Sequence, residues 1–99
     1  MTKVVHCKKT PYDVYIGRGS KWGNPFKIPE DGTREEVIEK YRQYLLYNKK
    51  HGKDLPDNEQ LLKALPELKG RVLGCYCKPK ACHGDILASL AEGGQGNEG

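Results

Sequence analysis

Apolar residues recur at helical spacing through the middle of the chain, where Val37, Ile38, Tyr41, Tyr44 and Leu45 make one stripe. That pattern predicts an amphipathic helix lying on a core. Thr33 opens it, and Glu36 three residues later completes a reciprocal capping box. Glu35, Glu36 and Glu39 sit toward its positive end, and Lys49, Lys50 and His51 toward its negative end before Gly52, so dipole compensation accounts for these charges. A shorter helix is expected where Asp57 caps Leu61, Leu62 and Leu65, with Pro66 ending it. A last helix runs from His83 or Gly84 through Ile86, Leu87, Leu90 and Ala91.

Three stretches read as strands. Residues 4–7 are β-branched and apolar, and Thr10-Pro11 breaks the run that follows; residues 12–16 alternate up to Gly17. Residues 71–77 follow Gly70 and carry Val72, Leu73, Cys75 and Cys77. The order ββααβα predicts an α/β fold: a small mixed sheet of three or more strands with helices packed over it. In such sheets ligands gather beyond the carboxyl ends of the strands. Residues 1–92 read as one compact domain, and the glycine-rich residues 93–99 as a disordered tail.

Composition narrows the picture. Ninety-nine residues, 36% hydrophobic and 30% charged, allow one modest core. No run approaches the roughly 18 apolar residues of a membrane span, so no membrane partner is expected. The first nine residues mix apolar and basic side chains without the apolar stretch of a secretory signal, which suggests a cytoplasmic protein. Three of the four cysteines lie within eight residues (Cys75, Cys77 and Cys82, with Cys7 apart), favouring thiols or metal ligands over a disulfide scaffold.

The net charge of +4 is unevenly spread. Residues 1–27 hold six Lys or Arg against one Asp, and residues 69–84 hold four against no acid. Same-sign clustering of this kind attracts anions such as phosphates, although a solvated basic surface has the same composition. Both basic stretches contain a glycine-punctuated motif that follows a predicted strand, so the two are expected to line one pocket.

The first motif is Gly17-Arg18-Gly19-Ser20-Lys21-Trp22-Gly23-Asn24-Pro25-Phe26. Its glycines allow positive φ and leave backbone N–H groups open. Arg18 offers a bidentate fork, Ser20 a hydroxyl and Lys21 a point charge for phosphate. Trp22 offers a stacking face for a base and Asn24 a donor and acceptor for its edge. The spacing is neither a P-loop nor a dinucleotide fingerprint. A purely structural reading has Trp22 and Phe26 plugging the core.

The second motif is Gly74-Cys75-Tyr76-Cys77-Lys78-Pro79-Lys80-Ala81-Cys82-His83-Gly84-Asp85. Cys75, Cys77, Cys82 and His83 suggest zinc as a possible cofactor, but the pair spacings are not those of a standard structural site. In a strand Cys75 and Cys77 share a face that core packing alone would also explain. Cys82 at a helix start is a candidate thiolate. His83 and Asp85 are the candidate proton-transfer residues, with Asp85 also explicable as a first-turn acid.

These residues, with Arg34 and Tyr41 in the long helix, resemble a small family of domains of unknown function, numbered 4326, from bacteria and their phages. The resemblance runs from about Val4 to Ala91. It implies a stand-alone compact domain whose characteristic residues are Arg18, Trp22, Asn24, Cys77, Cys82, His83 and Asp85; it implies no activity, and His6 and Cys7 lie outside its pattern.

The leading expectation is a cationic site for a phosphate-bearing nucleotide or nucleoside-type ligand, with hydrolytic or transfer chemistry as an open extension. Arg18 and Lys21 would hold phosphate and Trp22 or Tyr76 the base. The alternatives are a zinc-stabilised module without catalysis and a nucleic-acid- or partner-binding module, for which the common basic-helix and aromatic-sheet patterns are missing.

Overall fold

Alternation along the last strand sets the architecture. Leu73 and Cys75 are wholly buried, and their face receives the helices. In the computed structural model, which describes residues 2–78 and 80–93, the strands are β1 (Lys3–His6), β2 (Val14–Tyr15) and β3 (Val72–Cys75). The expected glycine-rich tail from 94 onward lies outside the described residues. The ββααβα order and the α/β class hold.

The strand order is β1-β3-β2. Where a mixed sheet was expected, both ladders run parallel, with Val4 and Val14 each opposite Leu73 and Val5 and Tyr15 each opposite Gly74. A Cβ at Gly74 would come 2.6 Å from the Tyr12 ring, so the bare backbone leaves room for Tyr12 over the central strand. Consecutive strands flank β3 instead of forming a hairpin. β2 is short, but Asp13 lengthens its ladder: its N–H donates to Val72 O at 2.7 Å and its carboxylate accepts from Val72 N–H at 2.8 Å. Tyr15 and Tyr76 continue the aromatic cover on this far side of the sheet, with ring centroids 6.2 Å apart.

Helix α1 (Arg34–Tyr47) starts at the expected Thr33–Glu36 capping box. It stops earlier than its basic residues suggest, because Asn48 takes the left-handed conformation (φ 58°) and returns its N–H to Tyr44 O. Lys49, Lys50 and His51 therefore lie past the helix end. Helix α2 (Glu59–Ala64) begins after Asn58, not Asp57. Asp57 pairs with Lys50 at 2.7 Å instead. Pro66 does not terminate the segment; it enters the first turn of a 3₁₀ helix, Leu65–Leu68, where its missing N–H costs nothing. Helix α3 (His83–Ala91) packs on β1, β3, α1 and the 3₁₀ turn.

The core joins these pieces through Ile16, Trp22, Tyr41, Leu45, Leu68, Leu73 and Leu87. Thr2 closes the far end, donating its N–H to Glu92 Oε2 at 2.8 Å while its hydroxyl accepts from Gly70 N–H.

Candidate functional site

The loop after β2 is fixed by its own hydrogen bonds. Ser20 turns both its N–H and its hydroxyl onto Gly17 O, at 3.2 and 2.7 Å. Asn24 accepts from Phe26 N–H at 2.9 Å and donates to Val37 O at 3.1 Å, which ties the loop to α1. Trp22 is 3% exposed, and its carbonyl accepts the Tyr41 hydroxyl at 2.7 Å.

Several expected ligand residues are thereby reassigned. Trp22 is core, because an indole buried among the core side chains has no free face for a base. Ser20 spends its hydroxyl within the loop. Lys21 Nζ lies 5.4 Å from a Trp22 ring centroid, and the residue borders a separate depression beside Tyr44 and Leu61. Asn24 reaches the cleft described below, but both ends of its amide are already engaged. Among the three loop glycines only Gly19 has positive φ.

The second motif turns at Cys77, whose carbonyl accepts Lys80 N–H at 2.8 Å, and delivers Cys82 as the N-cap of α3. Cys82 Sγ accepts from Gly84 N–H at 3.3 Å, and Asp85 Oδ2 accepts from Cys82 N–H at 3.2 Å. The other Asp85 oxygen pairs with Lys78 at 2.6 Å. Asp85 thus caps the helix and clasps the turn, and it does not meet either ring nitrogen of His83. Gly84 lets the first turn of α3 lie against the sheet: a Cβ there would sit 2.6 Å from Ile16 Cδ1 and 3.0 Å from Val4 Cγ1.

His83, the candidate proton-transfer residue, is buried, 7% exposed and packed edge-on to Tyr41 at 5.1 Å. Its Nε2 lies 2.7 Å from Ile16 O. A carbonyl only accepts, so Nε2 carries the proton and Nδ1 presents its lone pair. That lone pair is 3.6 Å from Cys82 Sγ.

The two motifs do meet. They enclose a cleft of about 400 Å³ at the carboxyl ends of β2 and β3, the location at which open parallel sheets hold ligands. Arg18, Arg34, Cys75, Cys77, Cys82 and His83 line it together with Tyr15, Tyr76, Phe26 and Ile28. Arg34 donates to Ala81 O at 3.2 Å, bridging the start of α1 to the second motif. Arg18 has no hydrogen-bond or ion-pair partner among the described residues.

Burial sets the charges. Desolvation lowers the His83 pKa against the opposing pull of the Ile16 carbonyl, so the imidazole is neutral near pH 7. Cys75 and Cys82 touch, Sγ to Sγ, at 2.9 Å. The Cys82 hydrogen bond brings Cys75 down to about 6. The same contact, with burial, pushes Cys82 up. The pair gives up one proton readily and resists losing the second.

Arg34 was absent from the sequence-derived site, yet it carried a signal. A cation at the first helical position opposes the dipole, and that placement calls for another partner. Tyr15, Phe26 and Ile28 had no such signal; only the tertiary fold turns them toward the cleft.

The profile of a family described as "Domain of unknown function (DUF4326)" matches residues 2–93. The chain is 40% identical over 91 residues to an uncharacterized 12.4 kDa protein in the nrdA-td intergenic region of Enterobacteria phage T4, covering 91% of this chain and 77% of the relative. It is 34% identical over 96 residues to the uncharacterized protein R718 of Acanthamoeba polyphaga mimivirus, covering 79% and 65%. No solved structure matches.

Proposed function

The chain belongs to the DUF4326 family of domains of unknown function, and for this member we propose that the cleft binds a phosphate-bearing nucleotide or nucleoside-type ligand. The observation that carries the reading is the convergence of Arg18 and Arg34, from distant parts of the chain, on one aromatic-walled cleft. Two guanidinium groups match the charge and geometry of a phosphate. Tyr15, Tyr76 and Phe26 supply apolar walls of a size suited to a base or sugar. Arg18 has its fork free for the anion, while Arg34 is oriented by Ala81 O.

In this reading neutral His83 is the proton-accepting group in the cleft, and Asp85 is not its partner. A thermal-shift panel of nucleosides, nucleotides and inorganic phosphate tests it. Nucleotides should stabilise the protein more than either part alone, and Arg18→Ala should weaken binding about tenfold or more, the size of a lost charged hydrogen bond. A flat response in the wild-type protein overturns the reading.

The tyrosines on the far side of the sheet favour a second reading. Tyr12 and Tyr76 are exposed, and Lys8 Nζ lies 6.0 Å from the Tyr76 ring centroid. Aromatic faces beside lysines are a stacking platform for single-stranded nucleic acid. Oligonucleotide binding that weakens with salt and with Tyr12→Ala, a residue outside the cleft lining, would favour it over the free-nucleotide reading.

A further inference from the structure

We propose that Cys75, Cys77 and Cys82 bind a thiophilic divalent ion of the zinc class through three thiolates, with the fourth coordination position open to the cleft. The inference does not depend on what else the cleft binds.

The three Sγ atoms all lie within 4.8 Å of one another, and Cys75 and Cys82 are at 2.9 Å. Sulfurs bonded to a tetrahedral zinc at about 2.3 Å stand about 3.8 Å apart, so the Cys75–Cys82 pair is closer than that value and would open by under about 1 Å to take the ion. Their convergence is built by the fold. Cys75 ends β3, Cys77 begins the turn closed by Lys80 N–H, and Cys82 caps α3. The Lys78–Asp85 pair at 2.6 Å links the turn to the helix. The sequence spacing looked wrong for zinc because ligand pairs are usually judged along the chain, whereas here a strand end and a helix cap are brought face to face.

A backbone donor already serves the Cys82 sulfur. Gly84 N–H donates to Cys82 Sγ at 3.3 Å, from the positive end of α3. N–H donors to coordinating sulfur hold the ligand in place and spread its charge. All four cysteines are free thiols.

His83 stands beside this ligand set, not in it. Its Nδ1 is 3.6 Å from Cys82 Sγ, but among the described residues no histidine or acid lies close enough to all three sulfurs to join them as a group. All three cysteines border the cleft, so the vacant side of the ion faces its contents. Three protein ligands with an exchangeable fourth is the arrangement of reactive zinc centres, in contrast to closed structural ones.

The test is a titration of the full chain, reduced and stripped of metal, with cobalt(II) and then zinc(II). Sulfur-to-cobalt charge-transfer absorption and tetrahedral ligand-field bands should saturate at one equivalent and bleach on adding one equivalent of zinc. Thiocyanate should shift the ligand-field bands through the open position. Cys77 is half-buried on a turn, so Cys77→Ser should keep its circular dichroism while binding at least about tenfold more weakly. Absence of charge-transfer bands in folded, reduced wild-type protein overturns the site, as does unchanged binding in Cys77→Ser. Bands indifferent to thiocyanate overturn the open position.

Discussion

His83 Nε2 lies 2.7 Å from the carbonyl of Ile16, 67 residues away in the chain. One hydrogen bond thereby fixes the first turn of α3 against the end of β2, where the Arg18 loop departs. The same bond sets the tautomer that turns Nδ1 toward Cys82.

This buried, neutral histidine makes stability depend on acid. Burial lowers the His83 pKa below the ordinary 6.5, so the unfolded chain takes up a proton first as pH falls. The stabilisation is complete above about pH 6.5 and is lost as pH drops through the folded value. His51 is lowered by burial as well and adds in the same direction. Asp31, Glu36, Glu39, Asp57 and Glu92 are also lowered, but from carboxylate values, and act in a more acidic window. The melting temperature should therefore fall between pH 7 and 5.5 (about the histidine range). His83→Asn should flatten that slope in part, and an unchanged slope would refute the assignment.

Adding one methyl group should have unequal consequences at two glycines. At Gly84 the new Cβ meets Ile16, which is wholly buried, so Gly84→Ala should cost about 1–3 kcal/mol through overpacking despite alanine's better helix propensity. At Gly74 it meets the Tyr12 ring, which is 43% exposed, so displacing that ring gives up less buried contact. Gly74→Ala should change stability by less than about 1 kcal/mol. Urea denaturation of both variants checks the contrast.

Tyr41→Phe should destabilise the protein by about 1–3 kcal/mol, because it strands the buried Trp22 carbonyl. The Tyr41 hydroxyl donates to that oxygen at 2.7 Å, and burial pushes its pKa up, so it is always a donor. The loop bearing Arg18 should exchange its amide hydrogens faster in this variant, and exchange unchanged from wild type would show that the clamp does not hold the loop.

Asp85→Ala should lower stability by about 1 kcal/mol, the usual loss of a helix cap. Its pairing with Lys78 adds little, since the carboxylate is half-exposed. Ligand affinity measured on the folded fraction should be nearly unchanged. A loss of turnover with stability intact would instead restore the acid–base role that the sequence suggested for Asp85.

The local rules of the chain were legible where a residue's neighbours in sequence are also its partners. Thr33 and Glu36 are three positions apart and cap α1 as read. The stripe from Val37 to Leu45 predicted the buried helix face, and Cys82 through Asp85 marked the start of α3. Asp57 misled because Lys50, seven residues back across the loop that ends α1, takes its carboxylate.

The sequence by itself determined the element order, the α/β class and the two chemistry-bearing loops, because periodicity, caps and glycines act within a few residues. Only the tertiary structure decided that β1 and β2 flank β3, that Trp22 and His83 are buried, and that Arg34 joins Arg18 beside three sulfurs. Those outcomes depend on which face of each element the core covers, and that is settled by packing between segments far apart in the chain.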